Sequence, residues 1–319
     1  MRACQVTEYD VPPQIQDVPQ PEPGAGQVLL KIEACGLNFG DLLMVKGSYQ
    51  ERPALPFTLG MEVAGTVVAH GAGVTAPATG TRVAVFGGYG GLAEYGVFDA
   101  ALCVPLPEHM DFETAAAFQV AYSTSHVALD YRAQLKPGDT LLVLGAAGGV
   151  GLTAVELGKL MGATVIACAR GADKLAICQK AGADHLIDTD TDDLRTLVKD
   201  LGGADVVYDP VGGDLFTAAL RACKPEARVL TIGFASGSVP QIAANHLLVK
   251  NINVIGFYWG GYLKFKPQVL TDSLTTLSQW FADGKLHPHI SHRLPLEQAA
   301  EGLELLRSRR STGKVIITT

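Results

Sequence analysis

The stretch "LLVLGAAGGVGLTAVELGKLMGATVIACAR", Leu141 to Arg170, decides the fold. A continuous apolar run is followed by a turn of glycine and alanine, then by a long amphipathic segment, then by a second apolar run that ends in Arg170. Where a strand turns sharply into a helix whose first N–H groups face an anion, any side chain on the turn holds the anion away. Ala146 to Gly151 form an A-x-G-x-x-G variant of the dinucleotide fingerprint, placed after a predicted strand and opening a predicted helix. Ala147, Gly148, Gly149, Val150 and Gly151 are therefore expected to hold a pyrophosphate.

The end of the second apolar run bears on which dinucleotide is bound. An NAD-specific fold offers Asp or Glu there to the ribose 2′-hydroxyl, and such a carboxylate repels a 2′-phosphate. This run ends "ACAR" without an acid. Arg170 can grip a phosphate in a forked contact, and Lys174, one helical turn on, adds a second cation. NADPH is expected in preference to NADH.

Outward from this stretch the chain divides by pattern. Up to about residue 120, short β-like runs ("QVLLKIEACGL", "EVAGTVVAHG", "TRVAVFG", "AEYGVFD") are broken by Pro and Gly, which reads as an all-β unit. From about 121 to 260, apolar runs alternate with helical segments, the pattern of a parallel, doubly wound sheet covered on both faces. The closing run "KVIIT" needs a sheet, and the β-rich unit is its expected host. The expected fold is α/β, with a Rossmann domain (121–260) inserted into a discontinuous β-rich domain (1–120 plus 261–319). A chain of 319 residues with 48% hydrophobic content is ample for two cores. Its net charge of -7 argues against nucleic acid or anionic lipid as a partner. Six scattered cysteines with no C-x-x-C pair suit a reducing compartment, and neither a signal peptide nor a membrane span is evident. A cytoplasmic protein with small-molecule partners is expected.

These blocks resemble the zinc-free quinone oxidoreductase (zeta-crystallin-like) branch of the medium-chain dehydrogenase/reductase superfamily over nearly the full chain. "GDTLLVLGAAGGVGLTAVELGK" is similar to the branch signature, with Glu156 where Gln is usual. "ALPFTLGMEVAGTV", "AAAFQVAYSTSHVAL", "KAGADHLID", "DVVYDPVGG" and "LEQAAEGLELLRSRRSTGKVIIT" resemble other family blocks in order and spacing. The resemblance implies a GroES-like β-domain carrying an inserted Rossmann domain, a cleft between them, and a homodimer through the sheet edge near "NINVIGFYW". Zinc-bearing relatives place Cys and His at the positions of Asn38 and Met61, neither of which is a plausible zinc ligand. Without a Lewis acid the chemistry moves towards reducing an acceptor that is already electron-poor, a quinone or an alkene conjugated to a carbonyl.

The resemblance also implies site residues. Tyr49 falls where related enoyl-thioester reductases carry a catalytic tyrosine, and Asn38 falls beside the nicotinamide. A phenol stays protonated at neutral pH and can stabilise an enolate. Thr124 matches a family threonine near the nicotinamide, Phe234 a loop passing the nicotinamide ribose, and Lys314 a lysine reaching the cofactor. The family often carries Tyr after "IN" near the 2′-phosphate, where this chain has Asp188 and Thr189. The leading expectation is an NADPH-dependent quinone reductase. The alternatives are a reductase of α,β-unsaturated carbonyls (2-alkenals or enoyl-CoA esters such as acryloyl-CoA) and an NADPH-binding structural or regulatory protein. "HPHISH" reads as a half-exposed strand rather than a metal site, with His287 and His289 on one face. "FYWGGY", Phe257 to Tyr262, reads as a dimer edge or a wall of the substrate cleft.

Overall fold

The computed structural model describes residues 1 to 319 as two compact units, one formed by Met1–Val120 with Pro288–Thr319, the other by Ala121–His287. In the first unit, strands β1 (Arg2–Val6), β2 (Gln14–Asp17) and β4 (Phe57–Thr58) make a small antiparallel sheet in the order β2-β1-β4. The larger sheet is built on β3 (Gln27–Gly36), β5 (Glu62–His70), β6 (Arg82–Phe86), β7 (Tyr95–Asp99) and β8 (Val104–Pro105). β3 is long enough to take β5 along one edge and, near its start, β7 along the other. Val28, Leu30, Ile32, Val63, Val83, Val85 and Leu92 from these strands and their loops form the sealed centre of this unit.

The second unit holds β9 (Thr140–Leu144), β10 (Thr164–Ala169), β11 (His185–Asp188), β12 (Ala204–Asp209), β13 (Cys223–Thr231) and β14 (Asn253–Gly256). All neighbouring pairs are parallel, in the order β11-β10-β9-β12-β13-β14. Every residue of β9 is buried, as expected of a strand with helices on both faces. The helix Gly149–Leu160 lies so close on β9 that a side chain at Gly158 would run into Leu141.

Two late strands return to the first unit: β15 (Ile290–Pro295) and β16 (Lys314–Thr318). β16 lies between β15, to which it is parallel, and the end of β3, to which it is antiparallel. The larger sheet therefore reads β15-β16-β3-β5-β6-β8 with β7 beside β3.

The division between units falls at 288, not at 261. The helix Pro267–Ala282 is held to the second unit by Ser273, whose Oγ lies 3.0 Å from His126 Nδ1 and 3.2 Å from Ser123 Oγ. Trp280 adds an edge-to-face contact with His126 at 5.3 Å. The aromatic cluster is also tied inward: Trp259 Nε1 donates to Ser123 Oγ at 2.9 Å, and Phe257, Trp259 and Tyr262 are buried. These three rings therefore lie buried, while Tyr258 of the same stretch is 37% exposed, just past the edge strand β14. The histidine-rich stretch becomes a strand only from Ile290, so His287 and His289 precede it and share no strand face. All six cysteines are buried and free, and no helix is long and apolar enough to cross a membrane.

Candidate functional site

In the second unit the small-residue turn leaves the C-terminal end of β9 at Gly145, whose φ of +57° suits glycine. Ala146 N–H donates to Cys168 O at the end of β10 (2.9 Å), and Gly148 N–H turns back to Gly145 O (3.0 Å). Gly148 is the N-cap of the helix Gly149–Leu160 and supplies no capping side chain. The amides of Gly149, Val150 and Gly151 open that helix, where no intrahelical acceptor exists and the dipole favours an anion. Gly148 thus contributes its missing side chain rather than its amide. At Gly151 a Cβ would overlap the Gly145 carbonyl, and at Gly145 it would meet Val211 Cγ2 at 2.9 Å.

The neighbouring strand ends complete this cradle. Asp209, at the end of β12, is fully buried; its carboxylate accepts from Val211 N–H (2.7 Å) and Gly212 N–H (2.9 Å) and shapes the turn that carries Val211. Burial pushes its pKa up, and those two amides pull it back. Phe234 follows β13, and its ring would lie 3.2 Å from a side chain at Gly212. Its loop is tied down by Ala235 N–H on Pro210 O (3.0 Å). Arg170 is exposed immediately after β10, and Lys174 sits half-buried in the first turn of the helix Ala172–Lys180. Asp188, level with Ala169 in the register of β10 and β11, accepts from Gly171 N–H at 3.1 Å and Asp190 N–H at 3.1 Å. Those amides hold its carboxyl below the usual range.

Thr124 is 6% exposed on the helix Gln119–His126. Its neighbour Ser125 fixes the dinucleotide helix: Ser125 Oγ donates to Val150 O (2.9 Å) and lies 2.8 Å from Thr153 Oγ1 and 3.1 Å from Tyr208 OH.

The first unit holds a polar cluster in an otherwise apolar interior. Glu62 opens β5 and is fully buried; Lys314 opens β16 and is 5% exposed; their Oε2 and Nζ are 3.0 Å apart. Lys314 Nζ also donates to Asn38 Oδ1 (2.8 Å), and Asn38 Nδ2 donates to Glu62 Oε2 (3.2 Å) and Gly36 O (3.1 Å). Lys314 passes close over β3, where a side chain at Gly36 would crowd its Cε at 3.3 Å and collide with Ala116 O. Asn38 is also the N-cap residue of the helix Phe39–Val45 and half of a capping box with Asp41. The reciprocal half of the cap is made by Asp41, whose Oδ2 accepts Asn38 N–H at 2.8 Å. Asp41 Oδ1 is buried with no hydrogen bond. Desolvation pushes Asp41 up to about 7, against the pull of the Asn38 N–H and the Lys314 charge. The Gly60 amide also pulls it down, from outside hydrogen-bonding geometry. Cys35, completely buried beside this cluster, has its thiol pushed well up by the same desolvation. Tyr49 is half-buried against this core, with its ring 3.2 Å and Met61 Sδ 2.8 Å from where a Gly40 side chain would begin.

Asn38, Lys314 and, two residues beyond Asn38, the wall formed by Gly40, Tyr49 and Met61 are thus gathered in one unit. Gly149, Val150, Gly151, Arg170, Lys174 and Phe234 are gathered in the other. Glu62, Asp41, Ser125 and Asp209 are site-shaping residues that the motifs did not single out. For Glu62 and Lys314 a signal existed, since each is a lone charge at the head of an apolar run ("MEVAGTV", "GKVIIT").

Comparison with known proteins places this geometry. Residues 24–108 match the family described as "Alcohol dehydrogenase GroES-like domain", and residues 149–276 match "Zinc-binding dehydrogenase". A quinone oxidoreductase-like protein 2 homolog of Nematostella vectensis is 41% identical over 302 residues, covering 93% of this chain and 82% of the relative. The crystal structure of Escherichia coli quinone oxidoreductase complexed with NADPH superposes with a TM-score of 0.94 at 28% identity, covering 100% of both chains. The Thermus thermophilus quinone oxidoreductase gives 0.88 at 33% identity, also over 100% of both chains. A GroES-like β-unit carrying an inserted Rossmann unit is the architecture of the medium-chain dehydrogenases/reductases. The chain belongs to that superfamily, in its zinc-free quinone oxidoreductase branch, and is an oxidoreductase. Zinc does not fit the residues present: no three His, Cys, Asp or Glu side chains gather as ligands, and Asn38 and Met61 stand where two would be needed. A nicotinamide dinucleotide fits the turn, whose glycines clear a path to three helix-opening amides.

Two outcomes follow from this geometry. Gly151→Ala forces backbone apart at both ends of the turn, and is expected to weaken nicotinamide dinucleotide binding by at least about ten-fold, read by fluorescence titration. Asp41 has a folded pKa raised from 3.8 to about 7, so its destabilising effect is absent below about pH 4, grows through the interval and is complete above 7. Asp41→Asn keeps an acceptor for Asn38 N–H, so the melting temperature of the variant relative to wild type should rise by about 2–4 °C between pH 5 and pH 8. A pH-independent difference would contradict a raised Asp41.

Proposed function

We propose that the protein is an NADPH-dependent reductase of quinones. The observation that carries this reading is the combination at the ends of β9 and β10: an unobstructed run of helix-opening amides, then an exposed Arg170 in place of an acid. Gly149, Val150 and Gly151 would hold the pyrophosphate through backbone N–H groups, and Arg170 with Lys174 would offset a 2′-phosphate. Asp188, one strand over, stays an anion with its carboxylate turned onto the Gly171 amide, so Arg170 and Lys174 are the cations that would have to meet the phosphate there. The quinone oxidoreductase names of the relatives and the NADPH in the Escherichia coli structure support the same assignment. When bound, the reduced nicotinamide supplies hydride. The chain's own part is to orient the acceptor and to donate a hydrogen bond to the oxygen that gains charge, a task suited to the Tyr49 phenol.

A second reading, reduction of alkenes conjugated to a carbonyl, is favoured by Tyr49 itself, which lies against Gly40 and Met61 near the Asn38 cluster. A phenol there serves enolate stabilisation as well as it serves a quinone oxygen.

The test is consumption of NADPH and NADH against ortho- and para-quinones, 2-alkenals and short enoyl-CoA esters. Turnover confined to quinones supports the first reading, and turnover confined to alkenes the second. Arg170→Ala should raise the NADPH Kd about 10- to 100-fold while leaving NADH within about three-fold; an equal effect on both would count against a 2′-phosphate contact. Tyr49→Phe should cut kcat/KM for enals by about 100-fold while leaving quinones within about five-fold if alkenes are the true substrates.

A further inference from the structure

The stretch "FGGYGG", Phe86 to Gly91, leaves the end of β6 and carries a single side chain, Tyr89, at its tip. The fold accounts for each of its four glycines. Side chains at Gly87 and Gly91 would run into Phe98 and Val63, while Gly88 and Gly90 take φ values of +79° and +96° on either side of Tyr89. The loop is nonetheless fixed along its length. Gly87 and Gly88 N–H both donate to Met61 O (2.9 and 3.2 Å), Gly90 N–H to Thr58 O (2.8 Å) and Gly91 N–H to Gly60 O (2.9 Å). Tyr89 is left 47% exposed. Its ring meets Phe57 edge to face, with centroids 6.3 Å apart and planes at 79°, and such a pair leaves at least one face of the tyrosine open.

The same loop borders the Tyr49 wall. Met61, whose carbonyl holds Gly87 and Gly88, closes on Gly40 with its Sδ, as the Tyr49 ring does. Glu51, two residues beyond Tyr49, brings its Oε2 to 3.2 Å from where a Gly88 side chain would begin. A half-exposed ring on a rigid stalk thus stands beside the segment that carries the Tyr49 phenol, all within one unit.

We propose that Tyr89 is a specificity-determining residue for the acceptor, and that its open face stacks the ring system of a planar, fused-ring quinone. This rests on the proposed reduction of quinones. A quinone is flat and electron-poor, so it complements the electron-rich face of a phenol, whereas a 2-alkenal has no ring to present. The contact is made equally before and during hydride transfer, so it strengthens binding and leaves the chemical step alone. The Tyr89 hydroxyl takes no part in it, and phenylalanine serves as well.

The test has a binding arm and a kinetic arm. In the first, the tyrosine rings are labelled with 13C and the protein is titrated with 2,3-dimethyl-1,4-naphthoquinone, whose methyl groups block addition to thiols. Oxidised NADP+ is present, so no turnover occurs. The chain has nine tyrosines, and the Tyr89 signal is the one absent from Tyr89→Phe. It should move upfield under the ring current of the bound quinone, and crotonaldehyde should leave it in place. A Tyr89 signal unmoved by the quinone, or moved as far by the alkenal, would overturn the proposal.

In the kinetic arm, Tyr89→Ala should raise the KM for 1,4-naphthoquinone about 5- to 10-fold with kcat within about two-fold, and leave the KM for crotonaldehyde within about two-fold. Tyr89→Phe should stay within about two-fold of wild type for both. An unchanged naphthoquinone KM in Tyr89→Ala, or an equal loss in Tyr89→Phe, would count against stacking. Because the ring is exposed, Tyr89→Ala should melt within about 2 °C of wild type, and the binding arm reads the wild-type fold in any case. Quinone turnover with an unmoved Tyr89 signal would sink this assignment and spare the proposed function, whereas a moved signal without nicotinamide-dependent turnover would do the reverse.

Discussion

Burying the Glu62 carboxylate is the constraint on which the first unit turns. A fully buried charge stripped of its partner costs about 3–5 kcal/mol, so it must be met by a cation and by donors on every lone pair. The cation comes from Lys314, 252 positions away in sequence, and the donors come from Asn38 and Val120. This pairing brings the chain's late strand β16 against β3 and orients the head of the helix Phe39–Val45. It also requires a glycine at Gly36, since a side chain there would stand where the lysine passes. Asp41 shows the residual cost: with Lys314 engaged elsewhere, its second oxygen is left buried and unbonded, and its proton is held more tightly.

The second unit solves the opposite problem. Its small-residue turn, Gly145 to Gly151, carries no charged side chain, and clears the way for amide dipoles to face an anion. Ser125 holds the first turn of the helix through Val150 O, Ala146 N–H holds the turn to β10, and Asp209 fixes the adjoining turn after β12. The three tethers come from three different elements. That redundancy keeps a glycine-rich turn rigid despite the backbone freedom of its residues.

Much of the fold was legible because burial on both faces leaves a plain mark. The runs LLVL of β9, VIACA of β10, VVY of β12 and VL of β13 are apolar without polar alternation, and helical segments alternate with them. The glycine turn was legible because sterics allow little else. The boundary at 288 was not, since what ties the helix Pro267–Ala282 to its unit is Ser273 on His126 and Ser123, contacts across some 150 residues that periodicity does not encode. The same holds for Trp259, whose indole looked fit for an edge but donates inward. Asn38 and Lys314 stood out by position alone, and their joining with Glu62 in one buried cluster is set only when β5 and β16 come together across β3.

The place of β16 in the larger sheet also sets an order of assembly. Ribosomal synthesis releases Ala121–His287, with its complete parallel sheet, before Lys314 exists. Until then the nascent N-terminal portion carries an uncompensated Glu62 and a half-unpaired β3 edge, the kind of strand that invites wrong partners in the crowded cell. Maturation of this chain is thus vectorial: the nucleotide-binding half can fold while translation continues, and the other half closes only when its last strand emerges.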